Sequence, residues 1–528
     1  MSITLNVQKN EMRRLFLLCG ALAIICFADR TTSGSTSFVL PYIQGELGLS
    51  GDEAPLVTLN YNAAYYAGIL LSPWILRRFG RVHALFACVT VYGIASLLCA
   101  ISTSLQELAA FRVIQGVAEG GFFLLGVLTI FANLSPKVAS LFVLAYAAAS
   151  QCGSGMAPFI AGAIAYNHSW RLLYLVLGLA ALTAAWMMRS SVSEHAIDAG
   201  LHPATTRREA IDVPGIVLLT LAIGAYSYLT AYGELRDWLN SPDVATSFAL
   251  FIAAALGFLL WEVFGARNPV MPISTFARKN VLIGIPLGLA IGFPALGTTI
   301  HVKYLQEVLD FPLPTAGLVI GLRALAIVIS APLGSILTLK GVDTRLVIVG
   351  GFTLSMFAFI WEAAGITSGS DFGTFVGAEL LVGAGFGLTY GPLLITVITN
   401  QPFTEIPFAV AAMNLSFAAA GSFANSALTT IFDHRQAKHL ADAAGTITLS
   451  RVPIAADVHS GGSPAVHGLA SLVTQQAAVI AFADAALCAA AVAAVAIPFT
   501  LLLRRASPPT LKEWLVGLAS PRASATDV

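Results

Sequence analysis

In the stretch FRVIQGVAEGGFF, an arginine, a glutamine and a glutamate (Arg112, Gln115 and Glu119) interrupt a run that is otherwise soluble in lipid. The spacing i, i+3, i+7 puts all three on one face of a helix, with Glu119 two turns from Arg112. An intramembrane charge is expensive and persists only with a partner or a task. One reading is structural: an Arg112–Glu119 pair, or Glu119 paired with another helix. The other is a carboxylate beside a poorly hydrated cavity, able to trade a proton for a cationic or polar substrate. Asp29, in ADRTTSGSTSFVLP, offers the same chemistry or a partner for Arg30. Arg323, Glu379, Asn414 and Asp484 are further polar groups in apolar runs, which places them in the protein interior. Asp484 can equally brace its helix. His301 and Lys303 fall at an outer helix end and read as interfacial.

The elements that hold these groups are membrane helices. Of 528 residues, 57% are hydrophobic and 11% charged, with zero formal net charge. The mean hydropathy is +0.80. A soluble domain carries about 25% charged residues, so a water-facing surface of this size is excluded. The balanced charge gives no support to a nucleic-acid partner. Fourteen apolar runs, from 15–38 to 475–503, each reach the roughly 20 residues a helix needs to cross hydrocarbon. They lack the strict alternation of barrel strands. Lysines and arginines gather on one side (Arg13, Arg14, Arg77, Arg78, Arg81, Lys137, Arg207, Arg208, Arg504 and Arg505 among them), which puts both termini in the cytoplasm. Trp74, Trp170, Trp186, Trp238, Trp261 and Trp361 lie near helix ends, as an interfacial belt would. The six cysteines sit in apolar segments without metal-ligand spacing, so no metal or cofactor is expected.

Several motifs, in order, carry a resemblance. PWILRRFGRV supplies Arg78, Gly80 and Arg81 of a basic loop motif between the second and third helices, with Arg77 where an acid is usual. FRVIQG is similar to a fourth-helix pattern whose buried arginine is associated with proton coupling. GSGMAPFIAG supplies Gly153, Pro158 and Gly162 of an antiporter pattern on the fifth helix. IDVPG, YGELRDWLNSP and WEVFGARNPVMPISTFARKN resemble an extra helix pair in mid-chain. Over about 11–505 the chain resembles the major facilitator superfamily, specifically its fourteen-helix drug:proton antiporter family of EmrB/QacA type.

The resemblance implies an all-α integral membrane protein of the major facilitator fold. The expected parts are a six-helix bundle (11–190), a cytoplasmic linker (191–211), a two-helix insert (212–266) and a second six-helix bundle (278–505). The second bundle carries a long external loop (433–474), and 506–528 form a cytoplasmic tail. The implied activity is proton-coupled export of lipophilic, cationic compounds across the inner membrane by alternating access. Its partners are a small molecule, protons and the bilayer, with a periplasmic adaptor left open. A dedicated exporter or importer of a metabolite such as a fatty acid or siderophore, and a non-transporting receptor, remain as alternatives. An enzyme is disfavoured, because neither H-E-x-x-H nor G-x-S-x-G occurs, and G-x-x-x-x-G-K-[ST] is absent too.

Overall fold

A computed structural model describes residues 2–133, 136–191, 212–267, 269–296, 298–399, 401–402, 405–446 and 452–505. The elements described there are helices. They run α1 (Ser2–Leu47), α2 (Pro55–Phe79), α3 (Arg81–Ile101), α4 (Leu105–Gly120), α5 (Phe122–Asn133), α6 (Pro136–Asn167) and α7 (Trp170–Ser191). A pair follows, α8 (Val213–Tyr232) and α9 (Pro242–Leu260), and then the short α10 (Ile273–Phe276). The chain continues through α11 (Lys279–Leu296), α12 (Thr298–Glu307), α13 (Leu313–Leu339), α14 (Thr344–Gly365), α15 (Phe372–Ile398), α16 (Ile406–Thr446) and α17 (Val452–Leu501). Among the described residues eleven helices are long and apolar enough to cross a membrane. The chain is therefore a multi-pass membrane protein, and fourteen crossings remain the sequence's expectation.

The same pairing recurs in both halves. In the first, α1 packs on α6, α2 on α4 and α3 on α7; in the second, α11 packs on α16, α13 on α15 and α14 on α17. This is what a parallel repeat of one bundle produces. Helices α8 and α9 pair with each other, and α8 lies against α2 and α16. Asp212 caps α8 by accepting from Gly215 N at 3.0 Å, and it also accepts from Trp261 Nε1 at 2.8 Å, closing that hairpin.

The halves meet along α6 and α13, where backbone approaches backbone. A Cβ on Gly155 would lie 2.5 Å from Ala324 Cβ, and one on Gly317 2.6 Å from the carbonyl of Pro158. Small residues permit such an approach between helices. Gly80 joins α2 to α3 at φ +72°, a conformation glycine adopts without penalty.

Two expectations change. The segment 433–474 is not an extended loop: α16 continues to Thr446 and α17 begins at Val452, while 447–451 lie outside the described residues. With 41 and 50 residues, these helices measure about 60 and 75 Å at about 1.5 Å per residue. A hydrocarbon core is about 30 Å thick, so both project well beyond it. The stretch QAKHLADAA is polar but rich in helix formers, so its polarity marks the exit from lipid rather than the end of the helix. The tryptophan belt is also only partial. Trp186 and Trp361 are exposed, whereas Trp170 is buried and donates to Glu46 Oε2 at 2.6 Å, and Trp238 donates to Thr430 Oγ1 at 2.8 Å. The linker from 192 to 211 and the tail 506–528 lie outside the described residues.

Candidate functional site

Helices α1 and α4 carry the first polar cluster. Arg112 is wholly buried; Nη1 donates to Gln115 Oε1 at 2.6 Å and Nη2 to Thr36 Oγ1 at 2.8 Å. The guanidinium lies 3.8 Å from the Tyr61 ring centroid. Gln115 Nε2 in turn donates to Ser96 Oγ at 2.7 Å. The i, i+3 spacing thus works as read, but the Arg112–Glu119 pair is not formed. Arg112 instead spends its donors on neutral oxygens and an aromatic face.

Glu119 and Asp29 are both buried. Asp29 Oδ2 lies 3.4 Å from Arg30 Nε. Asp29, Tyr61 and Glu119 are mutual neighbours, yet Asp29 Oδ1, the Tyr61 hydroxyl and both Glu119 oxygens have no hydrogen-bond partner of standard geometry. Arg30 reaches across the molecule: Nε donates to Ser150 Oγ at 3.2 Å and Nη2 to Asn414 Oδ1 at 2.8 Å. It ties α1 to α6 and to α16 of the other half.

A second buried cluster lies in the C-terminal half. Arg323 on α13 bonds Glu379 on α15 through Nε and Nη2. His301 on α12 brings Nε2 to 3.1 Å from Glu362 Oε1, 3.8 Å from Glu379 Oε1 and 3.3 Å from Arg323 Nη2. His301 is therefore not interfacial: it is 4% exposed and packs edge-on against Phe482. The residue reads as a helix end because α11 and α12 are separate helices, and α12 turns its imidazole inward. Asp484 joins neither cluster. His439 Nε2 lies 2.9 Å from it and Arg435 Nε 3.5 Å, so it braces α17 against the projecting part of α16.

Between the halves lies a cavity of about 340 Å³. Its aromatic wall includes Tyr61, Tyr65, Phe386 and Phe417; its charged lining is Arg30, Arg112, Arg323 and Glu234. Among the described residues Glu234 is the one carboxylate on that lining, since Asp29, Glu119 and Glu379 stand one layer behind it. At the end bearing the α2–α3 turn, Leu394, Ile398, Ile406 and Val410 pack on the apolar cluster of α1 and α5.

Glu234 sits in the turn between α8 and α9. Burial and the facing Asp433 carboxyl push it up to about 7, partly offset by Lys303. Lys303 Nζ itself holds Asp433 at 2.6 Å. A carboxyl raised on folding favours the native state while protonated. Stability from this contact should therefore fall as pH rises from the ordinary carboxylate range through about 7, and level off above it. Melting curves of Glu234→Gln should lose that fall; an unchanged pH dependence would remove Glu234 from this role.

The family model of the Major Facilitator Superfamily matches residues 22–425. The chain belongs to the Major Facilitator Superfamily. Members of this superfamily are transporters. The chain is 26% identical to the multidrug export protein EmrB of Escherichia coli K12 over 81% of this chain and 82% of that protein. It is 24% identical to the fatty acid resistance protein FarB of Neisseria gonorrhoeae, over 83% and 84%. A crystal structure of a bacterial homologue of the human lysosomal transporter Spinster, inward-facing and unoccupied, aligns with a TM-score of 0.54 at 17% identity, covering 95% and 98% of the two chains. That likeness bears on the fold alone.

Within this facilitator fold the antiporter pattern on α6 takes a definite place. Gly153 faces the Phe27 carbonyl of α1; Pro158 and Gly162 face Gly317 and Leu313 of α13. Pro158 and Gly162 thus lie on the seam between the halves, while Gly153 packs α6 on α1 within the first half. In the basic loop, Arg78 is exposed and Gly80 makes the turn, while the Arg81 side chain lies outside what is described. Sequence reasoning missed Tyr61, Glu234, His301 and Glu362. Each sits singly in a helix or turn, and only the packing of separate helices gives it a partner.

Proposed function

We propose that this facilitator is a proton-coupled exporter of lipophilic compounds working by alternating access, with Glu119 and Asp29 as the proton-carrying groups. The observation that carries the reading is a pair of neighbouring carboxyls, Asp29 and Glu119, buried in the membrane interior next to Arg30, which lines a cavity shared by both halves. With both acids ionised, Asp29, Glu119, Arg30 and Arg112 sum to zero charge. A proton taken up there leaves a net positive charge beside the cavity, where Arg30 and Arg112 form part of the wall. A lipophilic cation then binds less well, and this difference in affinity between two states is what a coupled cycle needs. Both termini lie in the cytoplasm on the charge bias of the loops. Arg323, Glu379 and Asn414 belong to the same polar interior, whereas Asp484 serves packing.

A second reading has a specific observation behind it. Three guanidiniums and one carboxylate line the cavity, which suits an amphipathic acid, and one curated relative is named for fatty acid resistance. The sign of proton movement separates the two. In proteoliposomes at fixed pH, adding a lipophilic cation should release protons, whereas a lipophilic acid should take them up. Glu119→Gln should cut the response at least about tenfold, the loss of one charged interaction of roughly 1.4 kcal/mol or more. An unchanged response in Glu119→Gln would remove the coupling role from that residue. A periplasmic adaptor, in a cell with two membranes, would meet the projecting parts of α16 and α17; copurification of a second chain tests it.

A further inference from the structure

The two halves do not balance their buried charges alike. In the N-terminal half two guanidiniums, Arg30 and Arg112, accompany two carboxylates, Asp29 and Glu119. In the second cluster one guanidinium, Arg323, accompanies two, Glu362 and Glu379, and none of the three is more than 4% exposed. Arg323 bonds Glu379 through two nitrogens. That leaves Glu362 with the His301 ring, its oxygens 3.1 and 3.2 Å from Nε2. A buried carboxylate without a compensating charge is costly. Imidazole is the side chain that supplies such a charge by binding a proton in the physiological range.

We propose that His301 and Glu362 form a second proton-binding site, which holds one proton and is joined to the cavity through Arg323. The groups around the imidazole fit this. Arg323 faces it from α13, Glu362 and Phe359 from α14, Glu379 from α15 and Phe482 from α17. On its own helix Tyr304 stacks on Phe482 at 4.4 Å and donates to the Thr367 carbonyl. Glu362 is 4% exposed, so bulk water does little to compensate it. A histidine and two carboxylates could also attract a divalent cation. Arg323 Nη2, 3.3 Å from His301 Nε2, opposes a doubly charged ion far more than a single proton, and the Glu362 oxygens stand at hydrogen-bond distance from Nε2, with room for one proton between ring and carboxyl.

Of the four residues, Arg323 lines the cavity. When the proton leaves, Glu362 competes with Glu379 for the guanidinium, and the charge presented to the substrate changes. The site rests on the proton-coupled reading for its role, but its titration needs no substrate.

The test uses the full chain in lipid nanodiscs without any substrate. Protons taken up between pH about 9 and about 5 are counted for the wild type, Glu362→Gln and His301→Lys. Each should take up about one proton fewer. His301→Lys carries the balancing charge permanently; it should fold and show the same deficit even where Glu362→Gln fails to fold. Uptake equal to wild type in the folded variants would overturn the site, as would zinc binding by the wild type that Glu362→Gln abolishes. A proton deficit with no substrate-driven proton flux in vesicles would leave the site standing and remove the proton-coupled reading. Flux without the deficit would do the reverse.

Discussion

Gly120→Leu should yield no folded protein. Helix α4 approaches α2 across Gly116 and Gly120, one turn apart and flanking Glu119. A Cβ on Gly120 would stand 2.5 Å from both Ile69 N and the Tyr65 carbonyl, and one on Gly116 2.6 Å from the Tyr61 carbonyl. The obstacles are backbone atoms, so no rotamer change relieves the overlap. Overpacking a built core costs about 1–3 kcal/mol, occasionally more, and a leucine forced against another main chain belongs at or beyond the upper end. The neighbouring Gly121 is the control. Its nearest obstacle is a terminal methyl of the Leu125 side chain at 3.3 Å rather than backbone, so Gly121→Ala should fold. Size-exclusion profiles and melting curves in detergent would decide. A monodisperse Gly120→Leu protein with wild-type melting would contradict the packing described.

Arg112→Leu has the second-largest expected effect, and it should act on transport even where the protein survives. The change strips Gln115 Oε1 and Thr36 Oγ1 of a charged donor and takes the cation from the Tyr61 ring. Leaving a buried polar group without its partner costs about 1–3 kcal/mol, so melting should drop, and export should fall with it. Arg112→Lys separates the causes. Lysine restores the charge but offers a single point where the guanidinium forks between two oxygens. It should recover melting more fully than export. Equal recovery of both would mean that charge alone mattered.

The helices were legible because hydrocarbon thickness fixes their length, and apolar runs of that length stand out whatever their detail. The Arg112–Gln115 contact was legible because helical periodicity places i and i+3 together. The same rule misled over Glu119, which shares the face but finds no bond to Arg112. Periodicity names a face and never the residue opposite. Arg30 with Asn414, and His301 with Glu362, are contacts between separate helices, so no local pattern could announce them. Which of the polar residues reach the cavity wall is likewise set by packing: Arg30, Arg112 and Arg323 do, whereas Asp29 and Glu119 are not on the lining. At 433–446 the error was different: polarity was taken for the end of a helix when it marked only the end of the membrane.

The seam between α6 and α13 bears on how such genes can be shuffled. Gly155 meets Ala324, and Gly317 meets the main chain of Pro158 and Phe159, so each half is fitted to the bare backbone of the other. A larger residue arriving on one side finds nothing opposite that could shrink in answer. Chimaeras that join the first half of this protein to the second half of a relative should thus assemble only when both sides of the seam are equally small. Recombination within this lineage would be filtered there, whatever substrates the parents carried.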